Sequence, residues 1–442
     1  MKTGTGGMME RFGEWLHRAI PICGRAALSL LTRVSFMAVL AMTASAYADN
    51  EKRDYFGDYR VPSGFVYSEA TITPDKAREL AREHVVLTLV NVTEVSPAVA
   101  EALVIPGRDT FLTLPAIATL DEEAATILAQ RPGILRLWGL KSVTPEVAAA
   151  LVAHDGGRLE LNGIKELSPA AARALAKGRR SSGISVGLID LPLEIAAILA
   201  EFPYHLDFPY LETLSLESAK AIAEHGEVVQ RRSETVGPTL DLGKARLTPA
   251  IAEALLAHDG PLSLNRLRKL EPGVGDILAK HRFPVLLMLE EIDSVALARK
   301  IFSDGHASSS VARLRTMSPE IATEYARAVP GSIPGAILAL ETLTPEAATA
   351  LGTGSRSIAL RGVTRLTPEL AKALTDRQPP VYLFGIKTLD GPDAVAVAET
   401  LASTPAPVYM ERLERVSAPA LAALRKKATI TLPPDERLTI VP

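Results

Sequence analysis

The chain has 442 residues, 47% of them hydrophobic and 5% aromatic, with a formal net charge of −3. That balance excludes the basic footprint of a nucleic-acid binder and charge-driven attachment to an anionic membrane. Cys23 is the only cysteine, which excludes a disulfide framework within the chain.

Residues 1–48 read as a secretory signal peptide. Lys2, Arg11, Arg18, Arg25 and Arg33 precede the apolar run Val34–Met42, and Ala46-Tyr47-Ala48 spells a small-residue cleavage site before Asp49. The run is short for a membrane span, and an uncleaved anchor is the alternative. The long basic region also admits a start at Met8 or Met9. Cleavage leaves 43 basic and 49 acidic residues, net −6, and no cysteine, a composition that suits a bacterial envelope or secreted protein. Residues 49–61 are polar and read as a flexible linker.

From residue 62 to 442 one phrase recurs every 23 or 24 residues. Leu135–Leu151, Leu159–Leu175 and Ile358–Leu374 are clear copies: a Leu-x-Leu segment, a glycine turn, then Thr/Ser-Pro and an alanine-rich stretch. The Thr/Ser-Pro step marks the repeat at Thr73, Ser96, Thr144, Ser168, Thr248, Ser318, Thr344 and Thr367, with weaker copies at Asp121, Pro192, Ser215, Glu271, Asp390 and Ser417 and a degenerate one near Asp293. Apolar–polar–apolar alternation predicts a short strand with one buried face. Ser or Thr followed by Pro predicts a helix start, because the hydroxyl caps free backbone N–H groups and proline fits the first helical position. Glu146, Glu320 and Glu346 favour the positive end of the helix dipole. A unit that cannot bury its apolar face alone stacks on its neighbours. Residues 62–72 and 428–442 read as end caps, with Ile430–Leu432 as the last strand. Irregular insertions fall near 227–238 and 290–310.

A strand, a turn and a short helix at this period resemble the leucine-rich repeat. The resemblance implies an α/β right-handed solenoid (horseshoe) of about fifteen strand–helix units, with strands on the concave face and helices on the convex face. The chain departs from the family pattern in the turn. Asparagine follows the strand only at Asn162 and Asn265, and Gly139, Gly163, Gly362 and Gly385 occupy the turn, so backbone hydrogen bonds are expected in place of an asparagine ladder.

Motifs for chemistry are weak. Gly183–Gly187 spells G-x-S-x-G, but Ser185 falls in a strand slot without the strand-to-long-helix turn of a nucleophile elbow. Gly237–Lys244 has the wrong spacing for a phosphate loop, and Ala245 replaces its Ser/Thr. His84, His154, His225, His258 and His281 share one repeat position near the helix end, where a cation complements the dipole and donates to free carbonyls. Packed helices about 8–10 Å apart do not bring such imidazoles to one metal at about 2.0–2.1 Å. No cofactor or metal is expected.

The mid-strand residues are expected to form an outward ridge: Thr88, Thr113, Arg136, Glu160, Ser185, Asp207, Asp241, Ser263, then Ala359, Tyr382 and Tyr409, with Trp138, Asn162, Asn265, Arg361, Phe384 and Glu411 in a second row. Arg136, Trp138, Glu160, Asp207, Asp241, Tyr382, Phe384 and Tyr409 are the candidate ligand-binding residues. Asp207 and Asp241 are expected as near neighbours, one or two repeats apart, in an acidic centre with Glu160, and the three C-terminal aromatics as an exposed cluster that favours a protein or sugar partner. The reading is an exported, non-enzymatic protein that binds a protein partner. A glycan-binding module, an enzyme using the three acids and a passive spacer are the alternatives.

Overall fold

The structure is a computed structural model. It describes residues 64–442 apart from 155, 179–182, 227–236, 304–312, 328–336 and 355–356. The segment read as signal and linker lies outside these residues, as do most of the 227–238 insertion and residues 304–310 of the second one.

Short strands alternate with short helices along the described chain. Ten strands form one parallel sheet in strict sequence order: β1 (Phe65–Tyr67), β2 (Val86–Leu89), β3 (Phe111–Thr113), β4 (Leu135–Arg136), β5 (Arg158–Leu161), β6 (Gly183–Val186), β7 (His205–Asp207), β8 (Leu240–Asp241), β9 (Leu262–Leu264) and β10 (Val285–Leu287). A second parallel sheet holds β11 (Ile337–Leu338), β12 (Ile358–Leu360), β13 (Val381–Leu383), β15 (Val408–Tyr409) and β17 (Ile430–Thr431). Fifteen α-helices stand among the described residues. The repeating strand–helix unit and in-order parallel sheets make this an α/β, leucine-rich-repeat-like solenoid.

Capping explains where the helices begin. Thr144 Oγ1 accepts from the Val147 amide at 3.3 Å and Ser168 Oγ from Ala171 at 3.2 Å; Thr344 and Thr367 do the same at 3.2 Å, each with proline next. Two starts differ from expectation, and a third, at Pro192 as expected, lacks a side-chain cap. Helix 274–278 begins after Gly273, with φ of 81°, and not at Glu271; helix 394–403 begins after Asp393 and not at Asp390. Ser294, one residue past Asp293, accepts from the Leu297 amide at 3.0 Å, so the unit persists into the 290–310 stretch as helix Val295–Ser303.

The core follows from the two periodicities. Leu135 and Leu137, Leu159 and Leu161, and Ile184 and Val186 flank their mid-strand residues and are buried with Ala148, Leu151, Ala172 and Leu175 from the helices. Alanine at one helical position lets consecutive helices approach. The turns stack through backbone: the Gly187 amide donates to Leu161 O at 3.3 Å and Gly385 to Leu360 O at 3.1 Å. A Cβ on Gly139 would fall 2.3 Å from Ile117 O and one on Gly163 2.2 Å from Trp138 O, so the approach requires glycine.

The segment after each turn is also tied one unit back. The amide of Glu212 donates to Ile189 O at 2.8 Å, Glu290 to Arg268 O at 2.8 Å, Arg315 to Glu290 O at 2.9 Å and Glu341 to Arg315 O at 2.8 Å. Near the C-terminus this row becomes a third parallel sheet of β14 (Thr388–Leu389), β16 (Arg415–Ser417) and β18 (Thr439–Val441). Ile430–Leu432 is therefore not the last strand. After β17 the chain makes a 3₁₀ turn at Asp435–Arg437 and returns as β18.

Candidate functional site

The register of the ten-stranded sheet places Val66, Thr88, Thr113, Arg136, Glu160, Ser185, Asp207, Asp241, Ser263 and Leu286 directly beside one another in that order. The expected ridge exists, but it is not an open solvated one. Thr88, Thr113, Glu160, Ser185, Asp207 and Ser263 are buried, and Ser185 is wholly covered. Strands at a spacing of about 4.8 Å bring each mid-strand side chain against the next, so the row covers itself.

Two clusters form within it. Glu160 receives the Trp138 indole Nε1–H at 2.9 Å and the Arg136 Nε–H at 3.2 Å, with Arg158 Nε at 3.9 Å. Arg136 also lies over the Phe111 and Trp138 rings at 5.7 and 5.8 Å. Trp138, expected in a surface row, is buried. Its indole is covered within the row, where Glu160 supplies the acceptor that a buried N–H requires.

The second cluster is Asp207 beside Asp241. Asp207 is 6% exposed. Its Oδ2 accepts from Ser185 Oγ at 2.9 Å and from Arg158, and Ser185 Oγ lies 2.7 Å from Asn162 Oδ1. Asp241 accepts from Ser263 Oγ at 2.6 Å and from the Gly243 amide at 2.8 Å. Burial, then the Asp241 charge, push the Asp207 carboxyl up to about 6, against the pull of Arg158 and Arg266. Asp207 and Asp241 are thus neighbours as expected. Glu160 stands apart, separated by Ser185 and joined to Asp207 only through Arg158. Sequence reasoning missed Arg158; its place just before a Leu-x-Leu segment was the available signal.

The third cluster is aromatic. Ala359, Tyr382, Tyr409 and Thr431 are register neighbours in the second sheet. The Tyr382 and Tyr409 rings stack at 4.5 Å, Phe384 lies 5.7 Å from Tyr382, and the Arg412 guanidinium sits over Phe384 at 5.6 Å. The aromatics cluster as expected, but Tyr382 is buried, while Phe384 and Tyr409 are half-buried. One ring covers another because adjacent strands leave less than two ring thicknesses between them.

The shared histidine position is a tie between units. His154 ring nitrogens face Ala129 O and Gly133 O at 3.2 and 2.8 Å, and His225 Nε2 faces Tyr204 O at 2.8 Å. These carbonyls belong to the preceding unit. Arg377 occupies the same position and donates to Leu351 O and Gly354 O at 3.1 and 2.9 Å; Lys427 donates to Leu401 O at 3.2 Å and Ala406 O at 2.7 Å. The expectation of a histidine cation is corrected at two of these sites. Burial pushes His225 down to about 3 and His258 down to about 4, so both are neutral and stack at 5.5 Å. His84 is only partly covered and stacks on Phe65 at 4.1 Å.

No helix among the described residues is long and apolar enough to cross a membrane. No protein-family model matches the chain. No curated protein matches it. Among solved structures, a leucine-rich-repeat protein of Leptospira interrogans is similar to 85% of this chain and 99% of its own, at 14% identity and a TM-score of 0.36.

Proposed function

We propose that this chain is an exported, non-enzymatic recognition protein that holds a partner protein against the strand face of its solenoid. The observation that carries the reading is the aromatic cluster: Tyr409 and Phe384 half-buried over a stacked Tyr382, with Arg412 across Phe384. Aromatic side chains held rigid beside an arginine are the residue types that dominate protein interfaces. Export rests on the sequence of residues 1–48. The polar row supports a non-catalytic reading, because Glu160 and Asp241 already accept hydrogen bonds from this chain's own groups. A sugar platform would need an open ring face, and Tyr382 offers none.

The test is affinity capture from envelope and medium fractions with the full chain and its Phe384→Ala/Tyr409→Ala variant, folding of both being checked by circular dichroism. A protein retained by the first bait and lost by the folded variant supports the reading. Equal retention, or no retained protein, sinks it.

A further inference from the structure

We infer that Asn162, Ser185 and Asp207 form a two-way hydrogen-bond switch that sets the charge of the strand face and the freedom of Arg158. The Ser185 hydroxyl carries one proton, yet its oxygen lies within hydrogen-bond distance of Asn162 Oδ1, at 2.7 Å, and Asp207 Oδ2, at 2.9 Å. One proton cannot serve two acceptors. Two arrangements satisfy the chain. In the first, Asp207 is protonated and donates to Ser185, and Ser185 donates to Asn162 Oδ1. In the second, Asp207 is ionised, Ser185 donates to it, and the Asn162 amide makes a half-turn so that Nδ2–H donates to Ser185. All three residues are at least nine-tenths buried, and a closed chain of this kind reverses as a unit.

The surroundings poise the switch. Asp241 on β8 is the register neighbour of Asp207 and disfavours a second negative charge. Arg158 on β5 and Arg266 after β9 favour it. His205, on β7 with Asp207, is held below its ordinary value by burial and by Arg158. Glu160 on β5 and Arg136 on β4 neutralise each other at 3.2 Å. Loss of the opposing charge of Asp207 leaves Arg158, whose side chain is 42% exposed, with Glu160 at 3.9 Å as its remaining carboxylate. Acidification therefore adds one positive charge to this face and loosens a guanidinium at its surface. The switch stands independently of the aromatic contact surface.

The experiment is a carboxyl NMR titration of the full chain carrying ¹³C-labelled aspartate, with Asp207 assigned by the resonance that Asp207→Asn removes. The expected midpoint is about 6 rather than the ordinary 3.8. Asp241→Asn is expected to lower it, and Ser185→Ala to raise it, since the Ser185 hydrogen bond favours the ionised form. Circular dichroism checks that both variants fold. A midpoint in the ordinary range, or substitutions that move it in the same direction or not at all, overturns the switch.

Discussion

The same register position in the two larger sheets carries opposite chemistry. In the ten-stranded sheet it holds Thr88, Thr113, Arg136, Glu160, Ser185, Asp207, Asp241 and Ser263; in the five-stranded sheet it holds Ala359, Tyr382, Tyr409 and Thr431. The polar row buries most of its members, and the aromatic row buries Ala359 and Tyr382 while Tyr409 is half-buried and Thr431 exposed. From Arg136 to Ser263 the polar row pairs donors with acceptors across strands, while the aromatic row stacks ring on ring. A repeat frame thus tolerates either chemistry at its open face. It also means that a polar residue predicted to face outward is not thereby available to a ligand.

The largest effect expected from breaking the polar row is at Glu160. Glu160→Ala removes the acceptor shared by Arg136 and Trp138 and the carboxylate 3.9 Å from Arg158, and leaves two guanidinium groups without it. Loss of one partner of a buried ion pair costs about 3–5 kcal/mol, which denaturant unfolding would read. A loss below about 1 kcal/mol, as for a surface pair, would show that this row is looser than its geometry. Tyr382→Ala, the corresponding cut in the aromatic row, should cost a similar amount for a buried ring, about 3–5 kcal/mol.

Acid separates the histidines at the helix ends from the polar row of the larger sheet. His225 and His258 have folded values of about 3 and 4, below the ordinary 6.5. The unfolded chain therefore binds more protons between these values, and stability falls as pH drops from about 6.5 toward 4, on the order of 3 kcal/mol per ring. Asp207 acts oppositely: its folded value of about 6 lies above 3.8, so the folded chain takes up its proton first, and this contribution is lost as pH rises through 6. Melting temperature against pH should fall more steeply in Asp207→Asn than in the native chain and less steeply in His258→Phe. Identical slopes in all three would remove both groups as the cause.

A smaller effect of opposite sign is expected from the threonines. Thr88 Oγ1 and Thr113 Oγ1 are buried with no hydrogen-bond partner. Thr113→Val replaces an unsatisfied hydroxyl with a methyl of similar shape, and should stabilise by up to about 1 kcal/mol in thermal unfolding. A loss of stability would place a partner there. The smallest effect belongs to the exposed Arg268–Glu290–Arg315–Glu341 chain, with contacts of 2.5, 3.5 and 3.2 Å. Arg315→Ala should cost less than about 1 kcal/mol and less still at high salt, measured by unfolding at two ionic strengths.

The sequence by itself determined the repeat, the helix starts and the register. Thr144-Pro145 and Leu159-Glu160-Leu161 announce a capped helix and a half-buried strand because capping and side-chain alternation are local, and a fixed period then places Arg136 beside Glu160. Where the local signal was mixed, at Glu271 and Asp390, the starts moved to Gly273 and Asp393. Only the tertiary structure decided what the aligned residues do to one another. Trp138 became buried within the row because Glu160 accepts its N–H; Ser185 became a buried relay because Asn162 and Asp207 flank it; Arg377 and Lys427 joined the histidines because each reaches carbonyls of the unit before. Burial, hydrogen-bond partners and proton affinity are properties of neighbours brought together across units, and a linear pattern does not carry them.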